Sequence, residues 1–133
     1  MNEEDRKTLV GLEQEKAHKF LEQAKNMFVQ EQWDLASNRY YYACFHAITA
    51  LFIKDGLSSH SHKGLITLFG LHYVCTGKVD SYYGSFLSRM EQLRMKGDYN
   101  CLFQVTQEEI EQMQQPATQL VSLIDELLKE TEV

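Results

Sequence analysis

The segment that most constrains the fold is residues 34–54, DLASNRYYYACFHAITALFIK, in which apolar side chains occur almost all round a helix. Such a helix is stable only where other elements enclose it, because apolar surface is unfavourable in water. Its longest apolar run, residues 40–53, contains His46 and is too short to cross a bilayer. A strip of small side chains would let another helix approach closely: Ala36, Ala43, Ala47 and Ala50. We therefore predict a central, buried helix.

Four further segments have apolar residues at helical spacing. They are residues 4–30, 62–74, 80–97 and 106–129, of which 62–74 is the short one. These segments could supply the neighbours that the central helix needs. The sequence thus predicts an all-α fold, an antiparallel four-helix bundle with an additional short helix, in a single domain of residues 1–133.

Local signals suggest where the helices begin and end. Asp34 is expected to cap the start of the central helix, and Gly97 to end the fourth. Thr106 and Glu109 have the spacing of a capping box at the start of the last helix. Pro116, inside that helix, is expected to kink or locally break it.

The charge of the chain limits its partners. It carries 13 basic and 19 acidic residues, for a formal net charge of −6. This argues against a broad basic face for nucleic acid or a membrane surface, so any RNA contact should be small and salt-sensitive. The three cysteines are widely spaced and odd in number, which argues against disulfides. The N-terminal segment is polar and lacks the features of a secretory signal, so we expect a cytoplasmic protein.

Two polar features lie where apolar side chains would be expected. A polar row along the central helix consists of Arg39, Tyr42, His46 and Thr49. Arg94 falls at the edge of the apolar face of the fourth helix and is followed by Asp98 and Tyr99. One interpretation is structural, with Arg94 and Asp98 paired four residues apart and the other groups satisfying one another. The other is a shared polar groove, in which Arg94 and at least one of Arg39, Tyr42 or His46 face a common cavity.

Other chemistry has little support. His60 and His62 form a His-x-His pair with no cysteine or carboxylate cluster nearby, which is weak evidence for a metal. The glycines stand singly, and none belongs to a phosphate-binding loop. We expect neither a metal nor a cofactor.

Three stretches resemble one known family. They are WDLASNRYYYACFHAITALF at 33–52, HKGLITLFG at 62–70 and LRMKGDYN at 93–100. Together, in this order, they resemble the small stand-alone HEPN proteins of bacteria and archaea. The resemblance implies an antiparallel helical bundle and a homodimer with its functional groove near the dimer interface. Many such proteins are encoded beside a minimal nucleotidyltransferase, in pairs that look like toxin–antitoxin modules.

The resemblance also carries a chemical expectation. Active members are metal-independent ribonucleases whose motif is an arginine followed four to six residues later by a histidine. Arg94 matches the arginine, but the residue five positions later is Tyr99. Cleavage without a metal needs a base for the ribose 2′-hydroxyl and a cation for the transition state. The phenol of a tyrosine ordinarily has a pKa of about 10 and is a poor base at neutral pH. His46 or His62 is then the candidate base.

Three functional hypotheses follow. The favoured one is a module that binds nucleotide or RNA and pairs with a nucleotidyltransferase, for which Tyr99 is a candidate nucleotidyl acceptor. The second is a metal-independent ribonuclease toxin that uses Arg94 with His46 or His62. The third is a structural or dimerisation protein without nucleic-acid activity. The residues assigned to catalysis are Arg94, Tyr99 and His46, and those assigned to ligand binding are Arg39, Tyr42, His62 and Asp98.

Overall fold

The computed structural model describes residues 1–130, in which every regular element is a helix and no strand occurs. Its helices are α1 (Glu3–Val29), α2 (Trp33–Asp55), α3 (His62–Phe69), α4 (Ser81–Tyr99) and α5 (Gln107–Lys129). A single π-helical turn, Gly70–Val74, continues α3. The predicted all-α architecture is confirmed.

Helix α2 is the centre of the structure. It packs against α1 along its length and also contacts α4 and α5. The strip of small residues predicted to allow close approach is buried: Ala36, Ala43, Ala47 and Ala50. Because these side chains are short, the neighbouring backbones can come close without leaving voids. The buried apolar side chains of all five helices form one connected core.

The start of α5 is held by the predicted capping box. The backbone N–H of Glu109 donates to the Thr106 hydroxyl over 3.2 Å. In return, the backbone N–H of Thr106 donates to the Glu109 carboxylate over 3.0 Å. Two donors that have no partner inside the helix are thereby satisfied, which fixes where α5 begins.

Asp34 does not cap α2, which already begins at Trp33. Its carboxylate instead accepts a hydrogen bond from the backbone N–H of Val105 over 2.9 Å. Val105 precedes α5 and is buried. The prediction for Asp34 was wrong because a distant backbone donor, which local sequence does not reveal, takes this carboxylate.

A predicted helix end at Gly97 and a predicted break at Pro116 do not occur. Helix α4 runs past Gly97 to Tyr99, so Asp98 and Tyr99 are helical residues. Helix α5 is not broken at Pro116. A proline removes only one backbone hydrogen bond, and the buried residues Met113 and Ala117 on either side pack into the core. Among the helices of residues 1–130, none combines the length and apolar character needed to span a membrane.

Candidate functional site

Arg94 lies in the fourth helix with only 6% of its surface exposed. Its guanidinium donates two hydrogen bonds to the Glu91 carboxylate, from Nε over 3.0 Å and from Nη2 over 2.8 Å. Nη1 donates to Asp98 over 3.0 Å. The predicted pairing with Asp98 is therefore present, but the closer partner is Glu91, which accepts two hydrogen bonds.

Glu91 stabilises the charged form of Arg94. The hydrogen bonds to Glu91 raise the pKa of the guanidinium above its ordinary value, while burial acts in the opposite direction. Sequence reasoning missed Glu91, although its position three residues before Arg94 places the two side chains on one helix face. That spacing is the signal that could have found it.

Two tyrosines of α2 lie under the guanidinium. The Cζ atom of Arg94 is 5.2 Å from the centre of the Tyr41 ring and 5.6 Å from that of Tyr42. A cation over aromatic faces at such distances is attracted by the negative face of each ring. Helix α4 thus presents its cation to the central helix, and the Tyr41–Tyr42 pair holds it there.

Tyr41 is fully buried, and its phenol is strongly disposed to keep its proton. Burial raises its pKa above the ordinary value, and the negative charge of Glu91 raises it further, whereas Arg94 opposes both. The Tyr41 hydroxyl is therefore a neutral group that can donate a hydrogen bond.

His62, the first residue of α3, meets that hydroxyl. Its Nδ1 lies 2.8 Å from the Tyr41 oxygen. The imidazole centre is 5.8 Å from the ring centre of Tyr42 and 5.0 Å from that of Phe45. Within residues 1–130, Nε2 of His62 makes no hydrogen bond, and the one buried side-chain polar atom without a partner is Ser37 Oγ. Nε2 of His62 therefore reaches solvent.

Arg39 and His46 are turned towards α1. Nδ1 of His46 lies 2.7 Å from the Glu13 carboxylate, a partner distant in sequence that sequence reasoning missed. Arg39 donates to Gln23 over 2.8 Å and to Asn38 over 2.6 Å. Both side chains thus make contacts between α1 and α2, and neither bonds to the carboxylates that hold Arg94.

Tyr42 lies between these two groups. Its ring centre is 6.3 Å from that of His46, and Arg94 lies over its face. The structure therefore brings Arg94, His62 and Asp98 together around Tyr41 and Tyr42. We call this cluster the Arg94 site, defined as Tyr41, Tyr42, His62, Glu91, Arg94 and Asp98.

Tyr99 is the last residue of α4 and is 79% exposed. Five residues along an α-helix correspond to a rotation of about 140° beyond one full turn, so Tyr99 lies on a different side of α4 from Arg94. No group of three metal-binding side chains capable of holding an ion is found in the described part of the chain.

A comparison with protein families shows what this arrangement belongs to. The family model described as "HEPN domain" matches residues 14–127, which contain the whole Arg94 site. The chain belongs to the HEPN family. The three sequence stretches that carry the resemblance supply every residue of the Arg94 site except Glu91.

Curated relatives of this HEPN protein cover most of its length. It is 32% identical over 130 residues to the UPF0332 protein of Thermotoga maritima, and the matched region covers 98% of this chain and 97% of that protein. It is 35% identical over 114 residues to a Methanocaldococcus jannaschii protein named provisionally as a toxin, and the matched region covers 86% of this chain and 84% of that protein. A second protein of that organism with the same kind of name is 28% identical over 97 residues, with 73% and 66% covered.

In this HEPN protein the Arg94 site has a defined chemical capacity. It offers a permanent cation, an imidazole with a solvent-reaching nitrogen and a half-buried aromatic ring. Of the three, the cation is the group that already has charged partners, because Glu91 and Asp98 both bind it. An anion that approaches Arg94 must therefore compete with a carboxylate.

Proposed function

We propose that this HEPN protein is a toxin-like module that binds the phosphate of a nucleotide or RNA at the Arg94 site. The observation that carries the proposal is that a guanidinium from α4 and an imidazole from α3 lie against the same pair of tyrosines. Cations with several N–H donors are well suited to phosphate oxygens. An aromatic ring beside them provides a surface on which a base can stack.

Asp98 is the partner that gives way when phosphate binds. A guanidinium has five N–H donors, of which Glu91 engages two and Asp98 one. The Asp98 side chain is 37% exposed, against 12% for Glu91, so Asp98 can turn into solvent at little cost. Glu91 then keeps Arg94 oriented, while the freed donors bind phosphate oxygens.

The toxin-like assignment rests on relatives and on family resemblance. Two similar M. jannaschii proteins carry provisional toxin names. The resemblance to the small HEPN proteins implies a homodimer, and many of those proteins are encoded beside a minimal nucleotidyltransferase. The three cysteines are free, in keeping with a cytoplasmic protein. We expect the same assembly and partner here.

Tyr99 is the group that such a partner would modify. Its side chain is exposed at the end of α4, where a second protein can reach it. In the modification, the phenolic oxygen attacks the α-phosphorus of a nucleoside triphosphate and forms a new P–O bond. The bond from the α-phosphorus to the bridging oxygen breaks, pyrophosphate leaves, and the phenolic proton passes to solvent. The added nucleotide would then lie at the end of α4, between one and two helical turns beyond Arg94.

The binding proposal is tested by fluorescence anisotropy with labelled tRNA and by calorimetry with nucleotides, all in EDTA. Arg94→Ala should lower affinity at least tenfold, whereas Arg89→Ala should leave it nearly unchanged because Arg89 is exposed on the same helix. A lower melting temperature or weaker dimerisation in Arg94→Ala, with wild-type ligand affinity, would overturn the proposal. Arg94 would then have a structural role.

A second candidate function, metal-independent RNA cleavage, is favoured by the environment of His62. A general base at Nε2 requires the tautomer in which Nδ1–H donates to the Tyr41 oxygen, 2.8 Å away, so that the solvent-facing Nε2 carries no proton. The His62 ring lies against Tyr41 and Tyr42, the same two tyrosines that Arg94 contacts. His46 is paired with Glu13 and, of these two tyrosines, lies near Tyr42. His62 is therefore the better candidate for the base that Tyr99 does not provide.

Cleavage is measured with labelled total RNA and tRNA in EDTA. If the protein is a ribonuclease, His62→Ala and Arg94→Ala should both abolish cutting, and His18→Ala, at an exposed histidine of α1, should not. Intact RNA after incubation with partner-free wild-type protein would dismiss this candidate and leave the binding proposal standing.

A further inference from the structure

A cavity of about 370 Å³ lies beside the Arg94 site. It is formed by the second half of α2, the loop that follows and the start of α3. Its lining consists of Phe45, Thr49, Phe52, Leu65 and every residue of 57–62. The volume falls within the range of about 300–1,000 Å³ that is usual for small-molecule sites.

The lining of this cavity combines aromatic and aliphatic surface with serine, threonine and histidine side chains. Phe45 and Phe52 provide flat rings, and Leu57 and Leu65 provide further apolar surface. Between positions 45 and 65, the residues that line the cavity include no aspartate, glutamate, lysine or arginine. In a chain with a net charge of −6, the cavity is thus a place whose own lining repels no anionic ligand.

The polar groups of the cavity are partly available. The Thr49 hydroxyl donates to the carbonyl of Phe45, and the Ser59 hydroxyl donates to that of Ser61. The Ser58 hydroxyl and the His60 imidazole make no hydrogen bond within residues 1–130. Two polar groups are therefore free at the rim of an aromatic cavity, which suits a ligand with flat apolar faces and a polar edge.

His62 joins this cavity to the Arg94 site. Its ring is 5.0 Å from that of Phe45, inside the cavity, and 5.8 Å from that of Tyr42, which lies under Arg94. We propose that the cavity is a nucleobase subsite, in which the base of the bound nucleotide packs against Phe45 while its phosphate is held at Arg94. This inference rests on the phosphate-binding function proposed above. It adds that the ligand carries a nucleobase, which occupies the cavity next to the phosphate.

The experiment compares ligands with and without a base. Nucleoside 5′-monophosphates and ribose 5-phosphate are titrated by calorimetry into the full chain. In parallel, a short RNA is compared with the same RNA carrying one abasic residue. Ser58→Trp fills the cavity from its exposed rim, and Ser122→Trp places the same side chain on an exposed position of α5 as the control. Phe45→Leu removes the ring on which the base packs, and circular dichroism and melting temperature verify that each variant is folded.

The wild type should bind at least one base-bearing ligand roughly tenfold more tightly than its base-free counterpart. Ser58→Trp and Phe45→Leu should abolish that difference without weakening ribose 5-phosphate, and Ser122→Trp should retain it. A difference confined to the RNA pair would identify RNA as the source of the base, and one seen with monophosphates would identify a free nucleotide.

The two proposals fail in different ways. If affinity depends on Arg94 but the base makes no difference, or if Ser58→Trp keeps the full difference, the nucleobase subsite is overturned and phosphate binding stands. If Arg94→Ala binds every ligand like the wild type, or if nothing binds, the phosphate-binding function fails and the subsite fails with it.

Discussion

The hydroxyl of Tyr41 lies 2.8 Å from Nδ1 of His62, so the central helix directly fixes the orientation of an imidazole on α3. The same tyrosine ring lies under the guanidinium of Arg94. A single buried side chain therefore connects the cation and the imidazole of the site. This arrangement determines which changes should affect binding and which should affect only stability.

Tyr41→Phe should release the imidazole of His62 while keeping the ring under Arg94. We expect the free energy of unfolding to fall by about 1 kcal/mol, the usual contribution of one hydrogen bond. The imidazole nitrogen resonances of His62 should move in NMR spectra. Tyr40→Phe is the matched control, because Tyr40 is a buried tyrosine of the same helix that bonds to Gln114. Unchanged His62 resonances in Tyr41→Phe would contradict this.

Glu91→Gln should be strongly destabilising, because it leaves the charge of Arg94 buried without its main partner. Breaking a buried ion pair from one side costs about 3–5 kcal/mol, and we expect the lower end since Asp98 remains. Urea unfolding provides the measurement. Glu126→Gln serves as a comparison, because Glu126 pairs with Lys129 at the same helical spacing but in solvent, and its loss should cost little. Equal effects of the two substitutions would refute the assigned role of Glu91.

Asp98→Asn should strengthen phosphate binding. The substitution removes the negative charge that competes for Arg94, for an expected gain of about 1 kcal/mol, or roughly fivefold in affinity. Asp98→Glu, which keeps the charge, should bind like the wild type. Calorimetry with a nucleotide distinguishes the two variants, and a weaker affinity in Asp98→Asn would show that Asp98 contributes to the ligand site itself.

Tyr99→Phe should prevent modification by a nucleotidyltransferase partner. After co-expression with an active partner, the intact mass of the wild-type chain should increase by one or more nucleotidyl groups. Tyr82→Phe should still be modified, since Tyr82 is an exposed tyrosine at the other end of α4. An unmodified wild-type mass would remove Tyr99 from the proposal, and a modified Tyr99→Phe chain would place the acceptor elsewhere.

Stability should fall in alkaline solution. Burial raises the pKa of Tyr40, Tyr41 and Tyr73 above the ordinary value of a phenol. Above about pH 10 the unfolded chain loses these protons while the folded chain keeps them, so the free energy of unfolding decreases as pH rises. Urea unfolding at increasing pH should show this loss, and Tyr41→Phe should make it less steep. A stability that stays constant above pH 10 would contradict the burial of these phenols.

The helices were readable from the sequence because helix formation and burial leave a local signal. The spacing of apolar residues predicted the helical segments, and the apolar residues on nearly all faces of α2 predicted its central position. The capping box of Thr106 and Glu109 and the pairing of Arg94 with Asp98 are also local, since each joins residues three or four positions apart. Glu91 was readable in the same way and was overlooked.

The contacts of the site were decided by tertiary structure. Tyr41 with His62, His46 with Glu13, and Asp34 with the Val105 backbone each join residues from different helices or loops. Sequence spacing determines which face of a helix a side chain occupies, but not which residue of another helix stands opposite it. That choice depends on how the helices are placed against one another, and this placement is a property of the whole packed core.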